Sequence, residues 1–425
     1  MRPTQAMGGS WLARGLRLAR GAGLTPGLRH ARGARLARSA LLLGVAGALT
    51  VGCGGAGPAG TGGSAARGTA AGRRTGTVAA AAPLPHGSIL AGVSAISPND
   101  AWAVGSVPAT GSAGVLIVHF NGTAWRQVQV DSPGRLAFLQ DVDAVSADSA
   151  WAVGAYDNAR TLILRWDGAS WRRVPSPTPP TGGTLAGVAA SAPGSAWAVG
   201  STLDARPLIL AWDGRSWRRA QAPDLKDSVL ESVTASPAGG AWAVGVSAGQ
   251  PLALRWDGSA WRRTAVPRLP GGGVLTGVAT VPGSASAAWA VGSAFAAPGR
   301  PLILRWNGSS WRRVPAPALA AGGVLRGVTA TRGGGAWAVG SVIGEPGRTL
   351  ILRWNGTAWR RLPSPDPSAG SNMLGRVAAA SGGRAWAVGF DSDGQAIIAA
   401  WTGTAWVSAL DDAPAAARRV AVRAG

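Results

Sequence analysis

One five-residue word, AWAVG, occurs seven times in the chain, with its Trp at 102, 151, 197, 242, 289, 337 and 386. Successive copies are 45 to 49 residues apart. A fixed period of this length marks one supersecondary unit repeated in a ring or stack, because a single copy cannot bury its own apolar face. A second word follows each copy, of the form L-I-L-R-W-[DN]-G-x-x-W-R-R. Its opening aromatics are Phe120, Trp166, Trp212, Trp256, Trp306, Trp354 and Trp401, and its closing Trp residues are 125, 171, 217, 261, 311, 359 and 406. The two words together use every Trp except Trp11.

Each unit divides into four short strand-like pieces: an L-x-x-V-x-A segment such as Leu185–Ala190, the AWAVG segment, a run such as Leu162–Trp166, and a closing piece such as Trp171–Val174. Pro-rich linkers such as Pro175–Pro180 follow, and proline ends a strand because it has no N–H to give to a ladder. Asp-Gly or Asn-Gly separates the third and fourth pieces at 167–168, 213–214, 257–258, 307–308 and 355–356, which favours hairpin turns. Nothing in the unit has a helical period. Four antiparallel strands in 45 to 49 residues is the size of a propeller blade. The expected fold is therefore all-β, a seven-bladed propeller of four-stranded antiparallel blades over residues 87–411.

A ring of blades buries both faces of each sheet, which accounts for third strands that are apolar throughout. Small residues in the first two strands suit the crowded centre, and Trp suits the diverging outer part. The Trp residues are thus expected to pack between blades rather than to stack sugars. The Arg pairs 172–173, 218–219, 262–263, 312–313 and 360–361 fall on the outermost strand, where charge blocks edge-to-edge pairing. One Arg of each pair is expected over a Trp face. The Arg before the opening Trp (Arg165, Arg255, Arg305, Arg353) gives way to His119, Ala211 and Ala400 elsewhere, and so is expected to pack rather than catalyse. Closure of the ring stays open, with 76–84 or 417–423 as candidate closing strands.

AWAVG followed by D-G-x-x-W resembles secreted actinobacterial Trp-repeat propellers, and is similar to the propellers of photosystem II assembly factors. The resemblance covers residues 88–410. It implies a propeller fold and an assembly or binding role, the latter by analogy only. The sialidase Asp-box is a weaker likeness, since Asp167 and Gly168 are adjacent and break its spacing. Kelch repeats need tyrosines that this chain, with one Tyr, does not have.

The chain's start points to export. Eight Arg and no acid fall within residues 1–38, followed by the apolar run Ala40–Leu49. The run is too short to span a bilayer and fits a signal segment over 1–52. Thr50-Val51-Gly52-Cys53 resembles a lipobox, so lipidation is expected at Cys53, the one Cys. The bland alternative is a stray Cys near an ordinary cleavage site. A diacylglyceryl anchor would hold the protein at the outer face of the cytoplasmic membrane, and the protein is secreted if Cys53 is not acylated. Residues 53–86 are a Gly/Ala/Thr-rich tether, and 412–425 a tail or closing strand. The formal charge is +22, and about +14 remains beyond residue 38. In an exported, Arg-biased chain this does not point to nucleic acid.

Catalytic groups are few: His30, His86 and His119, Glu231 and Glu345, and Tyr156. No His/Cys/carboxylate spacing suggests zinc, no cofactor is expected, and the chain is expected to be a monomer and not an enzyme. Its binding residues are expected in the loops joining the second strand to the third, which differ most between copies: Tyr156, Asp157, Arg160, Asp204, Arg206, Phe295, Arg300, Glu345, Arg348, Asp391 and Asp393. The blade-to-blade loops add Asp224, Lys226, Asp227 and Asp366. The partner expected on this face is an extracytoplasmic protein or an envelope glycan. The alternatives are a glycan-active hydrolase or lyase at the channel mouth, with Tyr156, Asp157, Arg160 and Arg206 as the nearest approach to a site, and a lectin with one site per blade.

Overall fold

Every blade of the computed structural model is built from one contiguous stretch of chain: 89–127, 138–173, 183–219, 228–264, 273–313, 323–362 and 372–408. The structure describes residues 84–108, 114–131, 133–236, 239–284 and 286–410. The signal segment, Cys53 and the tail expected over 412–425 lie outside them, as do the candidate closing strands 76–83 and 417–423. Each blade is a four-stranded antiparallel sheet whose strands follow in chain order from the central channel outward. No described helix is long and apolar enough to cross a membrane.

The Gly of AWAVG has a local cause. In all seven blades the inner strand carries a β-bulge, between Leu90 and Gly92 in blade 1 and between Leu325 and Gly327 in blade 6, for example. Opposite it, a Cβ on Gly154, Gly200, Gly245 or Gly292 would stand 1.9 Å from an inner-strand carbonyl oxygen. Only a residue without a side chain fits there, so the bulge and the glycine are one device.

Packing between blades is set by the Trp words. The AWAVG Trp of one blade meets both Trp residues of the next blade's second word. For six interfaces the opening Trp lies tilted with ring centroids 4.8–5.0 Å away, and the closing Trp lies edge-on at 5.0–5.2 Å. Tilted and edge-on contacts are the favoured geometries of aromatic pairs. The expected inter-blade role of the Trp residues is what the structure shows.

The seventh interface closes the ring. Trp386 of blade 7 packs on Phe120 and Trp125 of blade 1, each tilted or edge-on. Leu90, Leu116, Val388 and Ile398 fill one core across the same seam. Arg384 donates to the Pro98 carbonyl at 3.3 Å. Blades 1 and 7 are each complete within their own stretch of chain, so the described residues close the ring by packing rather than by a shared strand.

The cations over the Trp faces come from a different place than expected. They are the third-strand residues Arg165, Arg255, Arg305 and Arg353, each 5.1–5.9 Å from two indoles. Register explains the choice: each sits directly across from the AWAVG Trp of its own blade, as Arg255 does from Trp242. None of the outer Arg pairs lies over an indole among the described contacts: Arg173 packs on Tyr156, and Arg172, Arg218 and Arg262 pair with Asp167, Asp213 and Asp257 of their own turns. Those turns are four-residue connections in which the Asp or Asn side chain accepts two backbone N–H bonds, as Asp167 does from Ala169 and Ser170.

Candidate functional site

The loops joining second to third strands, and those joining blade to blade, form one face of the ring. From blade 2 to blade 7, backbone hydrogen bonds tie them into a collar. Within a blade, Leu203 N donates to Gly182 O, Phe295 N to Gly272 O and Ile343 N to Gly322 O. Between blades, Gly183 N donates to Ala159 O, Ser228 N to Ala205 O and Gly323 N to Gly299 O. The loops hold seven equivalent positions around the channel mouth: Pro108, Asp157, Leu203, Ala248, Phe295, Ile343 and Ser392. Four of them, on blades 3 to 6, are apolar. Leu203 is 48% exposed and Phe295 37%, although large apolar side chains elsewhere in the ring are mostly buried.

Outside this apolar arc stands a second set of equivalent positions at the start of the third strand: Arg160, Arg206, Gln250, Arg300, Arg348 and Gln395, with Gly114 in blade 1. Gln250 ties down its linker by two bonds with Leu269. Arg206 does the same by pairing with Asp224, and with Asp204 at 3.2 Å. Arg300 and Arg348 are exposed, and no carboxylate lies within ion-pair distance of either among the described residues.

Several residues expected to bind are structural instead. Tyr156 is buried beneath the Arg173 guanidinium, 4.1 Å from its ring centroid, and its hydroxyl accepts a bond from the same group. Arg160 lies 5.6 Å from the same ring. The candidate grouping of Tyr156 and Asp157 with Arg206 does not form, because Arg206 is held on blade 3. Asp157 accepts from Arg135 N at 2.6 Å, Asp391 from the N–H groups of Asp393 and Gln395, and Asp366 from Thr349 N. Glu345, Asp393 and Lys226 are exposed on this face, and Asp227 is half-buried.

The sequence reading missed the channel. Inner strands crowd so closely that the residue after the bulge is Gly in four blades: a Cβ on Gly327 would lie 2.9 Å from the Arg376 backbone. Asp141, Ser232 and Arg376 break this pattern. Arg376 donates to the carbonyls of Thr276, Arg326 and Glu231 at 3.0–3.2 Å, and its Nε lies 3.9 Å from Asp141. One side chain of blade 7 thereby spans the ring to blades 2, 4, 5 and 6. Asp141 and Asp143 accept the inner-edge N–H groups of Val188 and Ala190 in blade 3, at 3.2 and 2.8 Å. The signal for this cluster was present in the sequence, as non-glycine residues at a glycine position of the L-x-G-V word.

Burial pushes Asp143 up to about 7, with the neighbouring Asp141 charge adding to the rise. Burial also raises Asp141 and Glu231, against the pull of Arg376 on both. Burial lowers Arg326. A carboxyl that titrates near neutrality in a cleft is a recognised mark of functional sites. Here its oxygens already serve Ala190 N and the Ser94 hydroxyl, so the cluster is engaged with the ring itself. No group of three or more metal-ligating side chains occurs among the described residues.

No protein-family model and no curated protein matches the chain. Among solved structures, virginiamycin B lyase from Staphylococcus aureus aligns with a TM-score of 0.52 at 16% identity, covering 74% of this chain and 95% of that one. BP39L lectin from Burkholderia pseudomallei aligns with a TM-score of 0.52 at 14% identity, covering 76% and 99%. YCF48 from Cyanidioschyzon merolae aligns with a TM-score of 0.48 at 18% identity, covering 73% and 95%, which is too loose to carry an argument. These likenesses show the fold. They also correct one expectation: a thin catalytic inventory does not make the chain a non-enzyme, because a lyase shares this fold. A ring whose catalytic groups come one from each blade has no local motif for a sequence search to find.

Proposed function

We propose that the chain is an extracytoplasmic binding propeller that takes an acidic, partly apolar protein segment across its loop face. The observation that carries this reading is the apolar arc of Leu203, Ala248, Phe295 and Ile343 beside the exposed Arg300 and Arg348. An apolar patch rimmed by polar residues is the usual surface of a protein contact. A glycan would call for hydrogen-bonding groups where this arc has alkyl and phenyl ones. The Arg-rich start, the Ala40–Leu49 run and Cys53 support placement outside the cytoplasm on a lipid anchor.

The test is a pull-down from envelope extract at moderate salt, with the whole chain as bait. Phe295→Ser and the pair Arg300→Glu with Arg348→Glu are run beside it. Arg206 is left intact, since reversing it would break the linker that Asp224 anchors. One partner lost in both variants supports the reading. Retention unchanged in both, or sensitive to salt alone, sinks it.

A further inference from the structure

The seven blade interfaces share one arrangement of aromatics, and six of them carry a further side chain over the indoles, a guanidinium at five and the His119 ring at one. Arg165, Arg255, Arg305 and Arg353 cover four. His119 stacks on Trp102 with centroids 4.1 Å apart, and its ring nitrogen lies 2.8 Å from Asp100. In blade 7 the third-strand residue is Ala400, and Arg384 takes over the place, 5.0 Å from the Phe120 ring and 5.4 Å from Trp386. The interface between blades 3 and 4 is the exception. Ala211 stands directly across from Trp197, where blades 2, 4, 5 and 6 have an Arg, and no other side chain takes the place among the described contacts.

The indoles at that interface are arranged as elsewhere: Trp256 lies 4.8 Å from Trp197 and Trp261 5.1 Å, at 53° and 85°. What differs is exposure. The AWAVG Trp residues of the other six blades are buried, at 0–5% exposed, whereas Trp197 is only partly buried, and its neighbour Trp256 is partly buried as Trp166 is beside His119. The surrounding turns leave room, since a Cβ on Gly194, Gly239 or Gly240 would meet nothing within 4 Å. Between blades 6 and 7 the corresponding place is a cleft of about 860 Å³ lined by Trp337, Arg353 and Trp401. Both places lie on the face opposite the loop collar, at the ends of the second strands where the AWAVG Trp residues sit, so the site is independent of the proposed loop-face partner.

We infer that the Trp197–Trp256 face between blades 3 and 4 is a binding site for a small organic cation, a quaternary ammonium or a guanidinium, entering where five sister interfaces hold a guanidinium of their own. The chemistry is the attraction of a weakly hydrated cation to an indole face, strengthened as the cation leaves water. Binding at this one site is weak, in the millimolar range, and selective for charge.

The test is ligand-observed saturation-transfer NMR on the whole chain. The probes are choline, argininamide, and choline's neutral isostere with carbon in place of nitrogen. Choline and argininamide arms show which cation the site prefers. Ala211→Arg, which installs the neighbours' own cap, should weaken the preferred probe at least tenfold without lowering the melting temperature. Arg255→Ala, which uncaps the next interface, should add a second equivalent site. Equal binding of choline and its neutral isostere, no binding of either cation, or binding that survives Ala211→Arg would each overturn the inference.

Discussion

The outer Trp shell and the channel lining solve the same problem, holding seven sheets in a ring, by opposite means. The shell is made by copying: three aromatics at each of the seven interfaces, in one geometry at six of them. The channel is made by exceptions, with five charged residues, each from a position that is neutral or glycine in most sister blades. The difference follows from geometry. Blades diverge outward and leave the same wedge to fill at every interface, whereas the channel is a single shared space in which seven identical charges would repel. It teaches that repetition carries the stability of the ring, and that departures from repetition are where to look for anything specific.

Four measurements sharpen this contrast. Trp289→Ala removes a fully buried indole from the shell and should cost about 3–5 kcal/mol, read from urea unfolding midpoints. A loss below about 1 kcal/mol would mean the shell is not what holds the blades. Arg376→Ala leaves Asp141 without its opposing charge and three carbonyls without their donor. It should cost on the order of 3 kcal/mol near neutral pH. The loss should shrink on acidification, as the carboxyls that Arg376 holds down take up protons.

Asp143 gives a pH signature. Its pKa rises from 3.8 to about 7 on folding, so between those values the folded chain holds the proton more tightly than the unfolded one. Stability from this group is therefore present at low pH and is lost as pH climbs to about 7, by on the order of 4 kcal/mol. Asp143→Asn should flatten that slope in unfolding midpoints between pH 5 and 8, and a slope equal to the parent's would reject the assignment. The smallest effect is expected for Arg305→Ala, about 0.5–1 kcal/mol, because the cation it removes is exposed. A larger loss would show that the caps are structural members of the shell rather than covers on it.

How far each region was legible from the chain follows the same division. AWAVG, the second word and their spacing are local patterns, so blade number, strand order and inter-blade Trp packing could all be read directly. That the second-to-third and blade-to-blade loops share one face could be read, but which of their residues are exposed could not. Tyr156, expected among the binding residues, is a floor beneath Arg173, while Asp391 and Asp366 serve backbone N–H groups. Arg206 looked like Arg300 and is tied to Asp224. Such roles depend on which loop faces which, and neighbouring loops here come from residues some 20 positions apart or from another blade.

By itself the sequence determined the blade, because a strand's alternation, a bulge opposite a glycine and a turn that needs Asn or Asp with Gly are all decided within a few residues. Only the tertiary structure decided what the ring brings together. Arg376 meets the carbonyl of Glu231, 145 residues away and three blades round the ring, and Asp141, two blades away across the closing seam. Ala211 becomes an uncapped indole face only because six other interfaces show what normally covers it. Closure of the circle is the physical reason. It sets the first blade against the last and turns seven separated inner strands into one lined channel, a relation that no window along the chain contains.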